Sequence, residues 1–213
     1  MKQTKKRGIP PFLIVLFGSF ALLALFIWMQ PQREPLDEAQ LPWNARFDEQ
    51  GRLHTLGVVL QQTTLREAMT IYGKDVEIRL FTDHDGSNKT AEAYFPAIYI
   101  GSIKAAIAVR LQVPAEELEV VYNRGAKISP TGSGAKEIKL ASDDNLAFLD
   151  KTIVSATLIP RNNLTERGIA LRFGEPERKE KQSDGLDHWF FPKLGLEMII
   201  DPEGPEALQY SAH

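Results

Sequence analysis

The sequence predicts an α+β protein in which a single N-terminal transmembrane helix precedes two related units, each a short helix with a small antiparallel sheet. Three observations support this: residues 9–29 form a 21-residue run without a charge, two short amphipathic stretches end in glycine, and most other apolar stretches alternate with polar residues. The predicted parts are a cytoplasmic N-terminus (1–8), the transmembrane helix (9–29), a linker (30–50), a first α+β unit (51–151) and a second α+β unit (152–213).

Residues 9–29 are long enough to cross the roughly 30 Å hydrocarbon layer of a bilayer as a helix. The run is too long for a cleavable signal peptide, and it ends in bulky Trp28 and Met29 where a cleavage site needs small residues. A removed signal and a buried core helix are the alternatives. Four cations precede the run: Lys2, Lys5, Lys6 and Arg7. Because such cations stay in the cytoplasm, we expect a single-pass protein of the bacterial inner membrane with its C-terminal domain in the periplasm.

The composition of the exported part excludes several function classes. Residues 30–213 contain 21 Lys and Arg against 28 Asp and Glu, which gives a net charge of −7. A surface of that sign repels phosphate backbones, so no nucleic-acid partner is expected. The chain has no cysteine, which excludes thiolate catalysis, zinc–cysteine sites, disulfides and an N-terminal lipidated cysteine.

Helix-capping residues and the alternation of apolar with polar residues predict the elements of the first unit. The linker is polar and has three prolines, with an ordered contact expected near residues 41–43 and the first folded element at Leu53. Thr63 or Thr64 caps a helix over 63–73, and Gly73 ends it. A strand (76–82), a turn (83–90) and a second strand (91–101) follow. Residues 102–113 fit a helix or a strand, and the hairpin before them favours a strand. Then come a helix (114–125), a surface loop (126–137), a strand (138–141) and a helix (142–151).

The second unit repeats this order. A strand over 152–160 precedes a helix over 162–174, a polar turn over 175–185 and strands over 186–192, 194–201 and 207–210. Each unit has a helix ending in glycine, an aromatic strand ending in Phe-Pro (Phe95-Pro96, Phe191-Pro192) and an apolar return strand. The alternative is coincidence between two ordinary hairpins. In either case each helix is expected to bury one face on an antiparallel sheet.

Residues 162–204, and more faintly 63–109, resemble a family of small bacterial envelope proteins built from helix-plus-antiparallel-sheet units. The small lipoprotein of the β-barrel assembly machinery and the β-lactamase inhibitor protein are examples. The shared pattern is Gly174-Glu175-Pro176 after the helix, Trp189-Phe190 in a strand, Gly195-Leu196 and Gly204. The resemblance implies this fold and a role in binding other proteins without catalysis. The chain departs from the lipoprotein in having a membrane span instead of a lipidated cysteine.

Two segments invite a chemical interpretation. Residues 83–88 (DHDGSN) are rich in oxygen ligands like the start of a Ca²⁺ loop, but the twelfth position, where the loop needs a bidentate glutamate, is Tyr94. A turn explains them better. His188 has Asp184 and Asp187 nearby as carboxylate partners for a general base, but adjacent strand residues point to opposite faces, which argues against Asp187. We therefore predict no catalytic residue, metal or cofactor.

Five aromatic side chains of the two aromatic strands are the predicted partner-binding residues: Tyr94, Phe95, Tyr99, Trp189 and Phe190. Aromatics on an open sheet face are typical interface anchors, and the alternative is that they fill the core. The predicted function is a membrane-anchored periplasmic module that binds an envelope protein. The alternatives are a periplasmic hydrolase using His188 or the Asp83 and Asp85 pair, and a lipid- or glycan-binding protein, which would need a deep apolar cleft between sheet and helices.

Overall fold

The computed structural model describes residues 11–29, 37–125, 127–130 and 136–212. The α-helices of these residues are α1 (Pro11–Trp28), α2 (Leu65–Tyr72), α3 (Ala115–Arg124), α4 (Ser142–Phe148) and α5 (Glu166–Phe173). The strands are β1 (Arg46–Phe47), β2 (Leu53–Thr55), β3 (Val58–Val59), β4 (Glu77–Thr82), β5 (Thr90–Ile100), β6 (Ile103–Leu111), β7 (Lys127–Pro130), β8 (Lys136–Lys139), β9 (Ile153–Pro160), β10 (Arg178–Lys181), β11 (Asp187–Phe191), β12 (Leu196–Ile200) and β13 (Ala207–Ser211). The predicted α+β class is confirmed.

The chain divides into two compact units, Met1–Pro35 and Leu36–His213. In the first unit the described residues form α1, an 18-residue helix with no charged side chain. Among the described residues, no helix is both long and apolar enough to span a bilayer. The predicted cytoplasmic N-terminus (1–8) and residues 30–36 of the predicted linker lie outside the described residues.

The folded unit begins before Leu53, where the sequence predicted its first element. Two 3-10 turns cover Glu38–Gln40 and Pro42–Asn44, and β1 follows as the outer strand of a three-stranded β1–β2–β3 sheet. The Tyr210 hydroxyl, which is buried in β13, donates a 2.7 Å hydrogen bond to the carbonyl of Pro42. The predicted linker of residues 30–50 therefore contains a segment, residues 37–50, that belongs to the folded unit.

The main sheet has ten strands in the order β10-β11-β12-β13-β9-β6-β5-β4-β8-β7. All neighbours are antiparallel. The predicted boundary between residues 151 and 152 falls just before β9. Strand β9 pairs with β6 from Ala105↔Pro160 to Leu111↔Ile153, so the residues of both predicted units contribute to one continuous sheet.

Most predicted elements are confirmed, and residues 102–113 contain strand β6 rather than a helix. Besides the short strands β1 to β3, two strands of the main sheet were not predicted. Strand β10 lies in the segment predicted as a polar turn, and β7 lies in the predicted loop of residues 126–137. All four β10 side chains are exposed, so no apolar alternation marks the strand. It is an edge strand that forms through backbone pairing with β11.

Helices α2 to α5 pack on one face of the sheet. Their buried side chains join one core cluster with alternate residues of the strands: Leu65, Ala68, Leu118, Val121, Phe148 and Ile169. The neighbouring strand residues, such as Glu92, Tyr94, Arg110 and Thr157, point to the opposite side. This opposite side is called the open face below, because the buried side chains of α2 to α5 all belong to the core cluster on the other side.

Gly195, one of the glycines in the envelope-protein pattern, occupies a position that only glycine fits. Its φ is +56°, and a Cβ there would lie 2.5 Å from Leu53 Cδ2 and 2.9 Å from the carbonyl oxygen of Ser211. The glycine lets the chain turn from the 3-10 turn Pro192–Leu194 directly into β12. The β1–β3 sheet can therefore pack closely against this corner.

Candidate functional site

The five predicted partner-binding aromatics divide between the two faces of the sheet. Tyr94 and Tyr99 lie on the open face of β5 and are 37% and 66% exposed. Phe190 lies on the open face of β11 and is half-buried beneath the Arg178 guanidinium, which is 4.1 Å from its ring centroid.

Phe95 and Trp189 point into the helix-covered face. Phe95 has no exposed surface, lies opposite Ile107 and meets Tyr72 edge-to-face at 5.4 Å between ring centroids. Trp189 is 7% exposed, and the Lys179 ammonium covers its ring at 3.5 Å from the centroid. These two residues are part of the core, so their prediction as contact residues is corrected to a structural role.

A β-bulge explains why Tyr94 and Tyr99 share a face. Five positions apart, they would lie on opposite faces of a regular strand, because side chains alternate. The pairing of β5 with β6 shifts between Phe95 and Ile98, at Pro96. The shift reverses the phase, so that Tyr99 returns to the side of Tyr94 and lies opposite Lys104.

Small and polar side chains separate the tyrosines from Phe190. A cross-strand row crosses the open face in register: Phe190, Glu197, Gln209, Thr157, Ala108 and Tyr94. With strands about 4.8 Å apart, the five intervals place the two aromatic ends roughly 24 Å from each other. The middle of the open face therefore consists of small and polar side chains, with aromatic side chains on either side.

Two shallow grooves lie on the open face. One, of about 170 Å³, is lined by Glu92, Ala108, Arg110, Ser155, Thr157 and Gln209. The other, of about 320 Å³, lies between Tyr94, Arg161 and Glu203. Both grooves have charges of both signs: Arg110 lies 3.7 Å from Glu92 in the first, and Arg161 and Glu203 line the second. The face thus offers hydrogen-bonding groups of both signs beside exposed aromatic rings.

His188 lies within a small ion cluster at the β11 end of the open face. It is 4% exposed, with Nδ1 2.5 Å from Glu197 Oε1 and Nε2 3.0 Å from Asp184 Oδ2. Burial lowers the pKa of His188, but the hydrogen bonds to Glu197 and Asp184 outweigh it, and the pKa is raised. The hydrogen bond from the Leu186 backbone and that from His188 lower the pKa of Asp184.

This geometry suits a structural ion cluster better than a general base. An imidazolium that donates from both nitrogens has no lone pair with which to accept a proton from a substrate. Asp187 points to the other face, as adjacent strand positions must. Among the described residues, no hydroxyl group hydrogen-bonds to His188.

Residues 83–88 form a turn. The amide of Gly86 donates to the carbonyl of Asp83, and that of Asp83 donates to the carbonyl of Ser87, both at 3.0 Å. The carboxylates accept within the turn, Asp85 from Ser87 and Asp83 from Asn88. These bonds from the Ser87 side chain and backbone lower the pKa of Asp85. The described residues contain no group of three or more potential metal ligands.

Comparisons with protein-family models, with curated proteins and with solved structures found no match for this chain. The resemblance to small envelope proteins therefore remains a prediction, and the function is argued from the site alone.

Proposed function

We propose that this chain is a membrane-anchored envelope protein that binds another protein through the open face and catalyses no reaction. The observation that carries the proposal is the exposure of Tyr94 and Tyr99 on a polar sheet face opposite the one on which α2 to α5 pack. Tyrosine provides a large rigid contact area together with a hydroxyl group, and interfaces are enriched in it. The flanking grooves supply hydrogen-bonding groups of both signs for specificity.

The membrane anchor in this proposal rests on residues 9–29. The run has 21 residues without a charge, and α1 occupies Pro11–Trp28 within it. Cations precede the run and carboxylates follow it, which favours an N-terminus in the cytoplasm and a periplasmic folded unit at the bacterial inner membrane. The hydrolase alternative has less support, since both nitrogens of His188 are bound to carboxylates.

The absence of cysteine allows a direct test of the orientation. Ser183→Cys places a thiol in an exposed turn of the folded unit, and Thr4→Cys places one before the anchor. We expect a membrane-impermeant maleimide to label Ser183→Cys in intact spheroplasts and Thr4→Cys only after lysis. A chain without residues 1–29 should leave the membrane fraction. The reverse labelling pattern, or a full-length chain extracted by alkaline carbonate, would refute the anchor.

Substitution of the tyrosines tests the contact surface. We expect Tyr94→Ala with Tyr99→Ala to lower the recovery of a co-purified partner from solubilised membranes about tenfold, because exposed aromatic anchors dominate interface energy. The matched control is Leu171→Ala, which removes a 77% exposed apolar side chain from α5. Unchanged recovery with the tyrosine variant, at unchanged thermal stability, would show that the partner binds elsewhere.

A further inference from the structure

A cleft lies on the helix-covered side of the sheet, where the segment around Trp43 meets α5 and the β5–β6 turn. This Trp43 cleft has a volume of about 320 Å³. Its floor contains three almost fully buried side chains: Ile100 at 2%, Leu158 at 0% and Leu208 at 1% exposed. The volume is at the lower end of the range for small-molecule sites, and the lining is mainly apolar as in such sites.

The walls of the Trp43 cleft are fixed by specific contacts. The ring of Trp43 packs edge-to-face on Phe173 at 6.1 Å between centroids, and the Arg172 guanidinium lies 4.3 Å from the centroid of Trp43. The hydrogen bond from Tyr210 to the carbonyl of Pro42 holds the same segment against β13. The cleft is therefore formed before any ligand binds, which reduces the entropic cost of binding.

The charge of the lining distinguishes this cleft from the others. Arg172 and Lys104 are the charged residues among its lining residues, while the buried carboxylate of Glu206 accepts a hydrogen bond from the amide of the lining residue Leu164 and does not itself line the cleft. Four other clefts of the described residues each include at least one carboxylate: Glu77, Glu203, Glu166 with Glu175, and Glu92. In a chain of net charge −3, a cleft lined by cations and apolar side chains is selective for an anion with an apolar part.

We propose that the Trp43 cleft binds a single-chain fatty carboxylate, a ligand that the proposed protein-binding function does not require. The acyl chain lies against the partly exposed side chains of Trp43, Ile103 and Leu164, and the carboxylate binds the guanidinium of Arg172. The planar fork of arginine matches a carboxylate with two parallel hydrogen bonds. The cleft volume accommodates one chain with a compact head rather than a two-chain phospholipid.

Photo-crosslinking of the full chain in lipid nanodiscs tests the proposal. The probe is decanoate with a diazirine in its chain, and mass spectrometry locates the adducts. We expect adducts on residues 41–43 and 158–173, and competition by decanoate but not by decanol or decyltrimethylammonium. Adducts only outside the cleft, or equal competition by decanol, would overturn the proposal.

Arg172→Gln is expected to lower the labelling about tenfold, and Arg172→Lys should restore part of it. The control is Arg167→Gln, which removes a cation from the same helix but not from the cleft. Because Arg172 is exposed, its replacement should leave the fold intact, and equal far-UV circular dichroism melts would confirm this. Equal labelling of Arg172→Gln and Arg167→Gln would show that the carboxylate of the probe does not bind at Arg172.

Discussion

Phe95→Ala is expected to lower the free energy of unfolding by about 3–5 kcal/mol, the usual cost of removing a buried phenylalanine ring. Phe95 has no exposed surface and lies in the centre of the sheet, opposite Ile107. Its ring also forms the edge-to-face pair with Tyr72, whose hydroxyl donates a 2.9 Å hydrogen bond to the carbonyl of Leu56. The cavity left by Phe95→Ala would therefore loosen the packing of α2 and of the segment around Leu56.

Urea denaturation followed by far-UV circular dichroism measures this loss. The matched control is Tyr94→Ala, the neighbouring aromatic on the open face, for which a change below about 1 kcal/mol is expected because its side chain is exposed. A partner lost with Phe95→Ala would then reflect unfolding rather than a missing contact. Equal destabilisation by the two substitutions would contradict the assignment of the two faces.

His188→Gln is expected to destabilise the protein by about 2 kcal/mol at pH 6, since hydrogen bonds to charged groups contribute about 1.5–3 kcal/mol each and Asp184 is partly exposed. The pKa of His188 is raised in the folded state, so the charged imidazole stabilises the fold fully below its ordinary pKa near 6.5. That contribution is lost as the pH rises through the folded-state pKa. The difference between wild type and His188→Gln should therefore shrink from pH 6 to pH 8.5.

The carboxylates around His188 determine how the stability of the folded protein changes at acid pH. The pKa of Asp184 is lowered, so its contribution is present above its ordinary pKa near 3.8 and is lost as the pH falls through the folded-state value. Glu197 completes the cluster, and Glu180 lies opposite His188 on β10. Urea midpoints at several pH values, with the exposed His84→Gln as control, provide the measurement. A pH-independent difference would show that folding does not raise the pKa of His188.

The sequence predicted the fold where periodicity and caps were strong. In α2, Thr64 is the cap, as one of the two predicted candidates, and β4 to β6 and β9 follow their apolar alternation. Strand β10 was missed because an edge strand of charged residues has no apolar period. The ordered contact predicted near residues 41–43 is confirmed, but its partners were not predicted, because Phe173 and Tyr210 lie more than a hundred residues later.

The candidate site was only partly predictable for the same reason. Alternation shows that Tyr94 and Phe95 point in opposite directions, but it does not show which side the helices will cover. The β-bulge at Pro96, which brings Tyr99 to the side of Tyr94, depends on the pairing of β5 with β6. The Trp43 cleft depends on contacts between distant parts of the sequence, so no local pattern predicted it.

Among the described residues β13 is the last strand in chain order, yet it lies between β9 and β12 in the interior of the main sheet. A chain that stops before Ala207 would leave two adjacent strands without their shared neighbour, each with unpaired amide and carbonyl groups. It would also lack Tyr210, which holds the carbonyl of Pro42. The main sheet therefore cannot close until residues 207–211 have been synthesised, and chains truncated before them should be rapidly degraded by proteases.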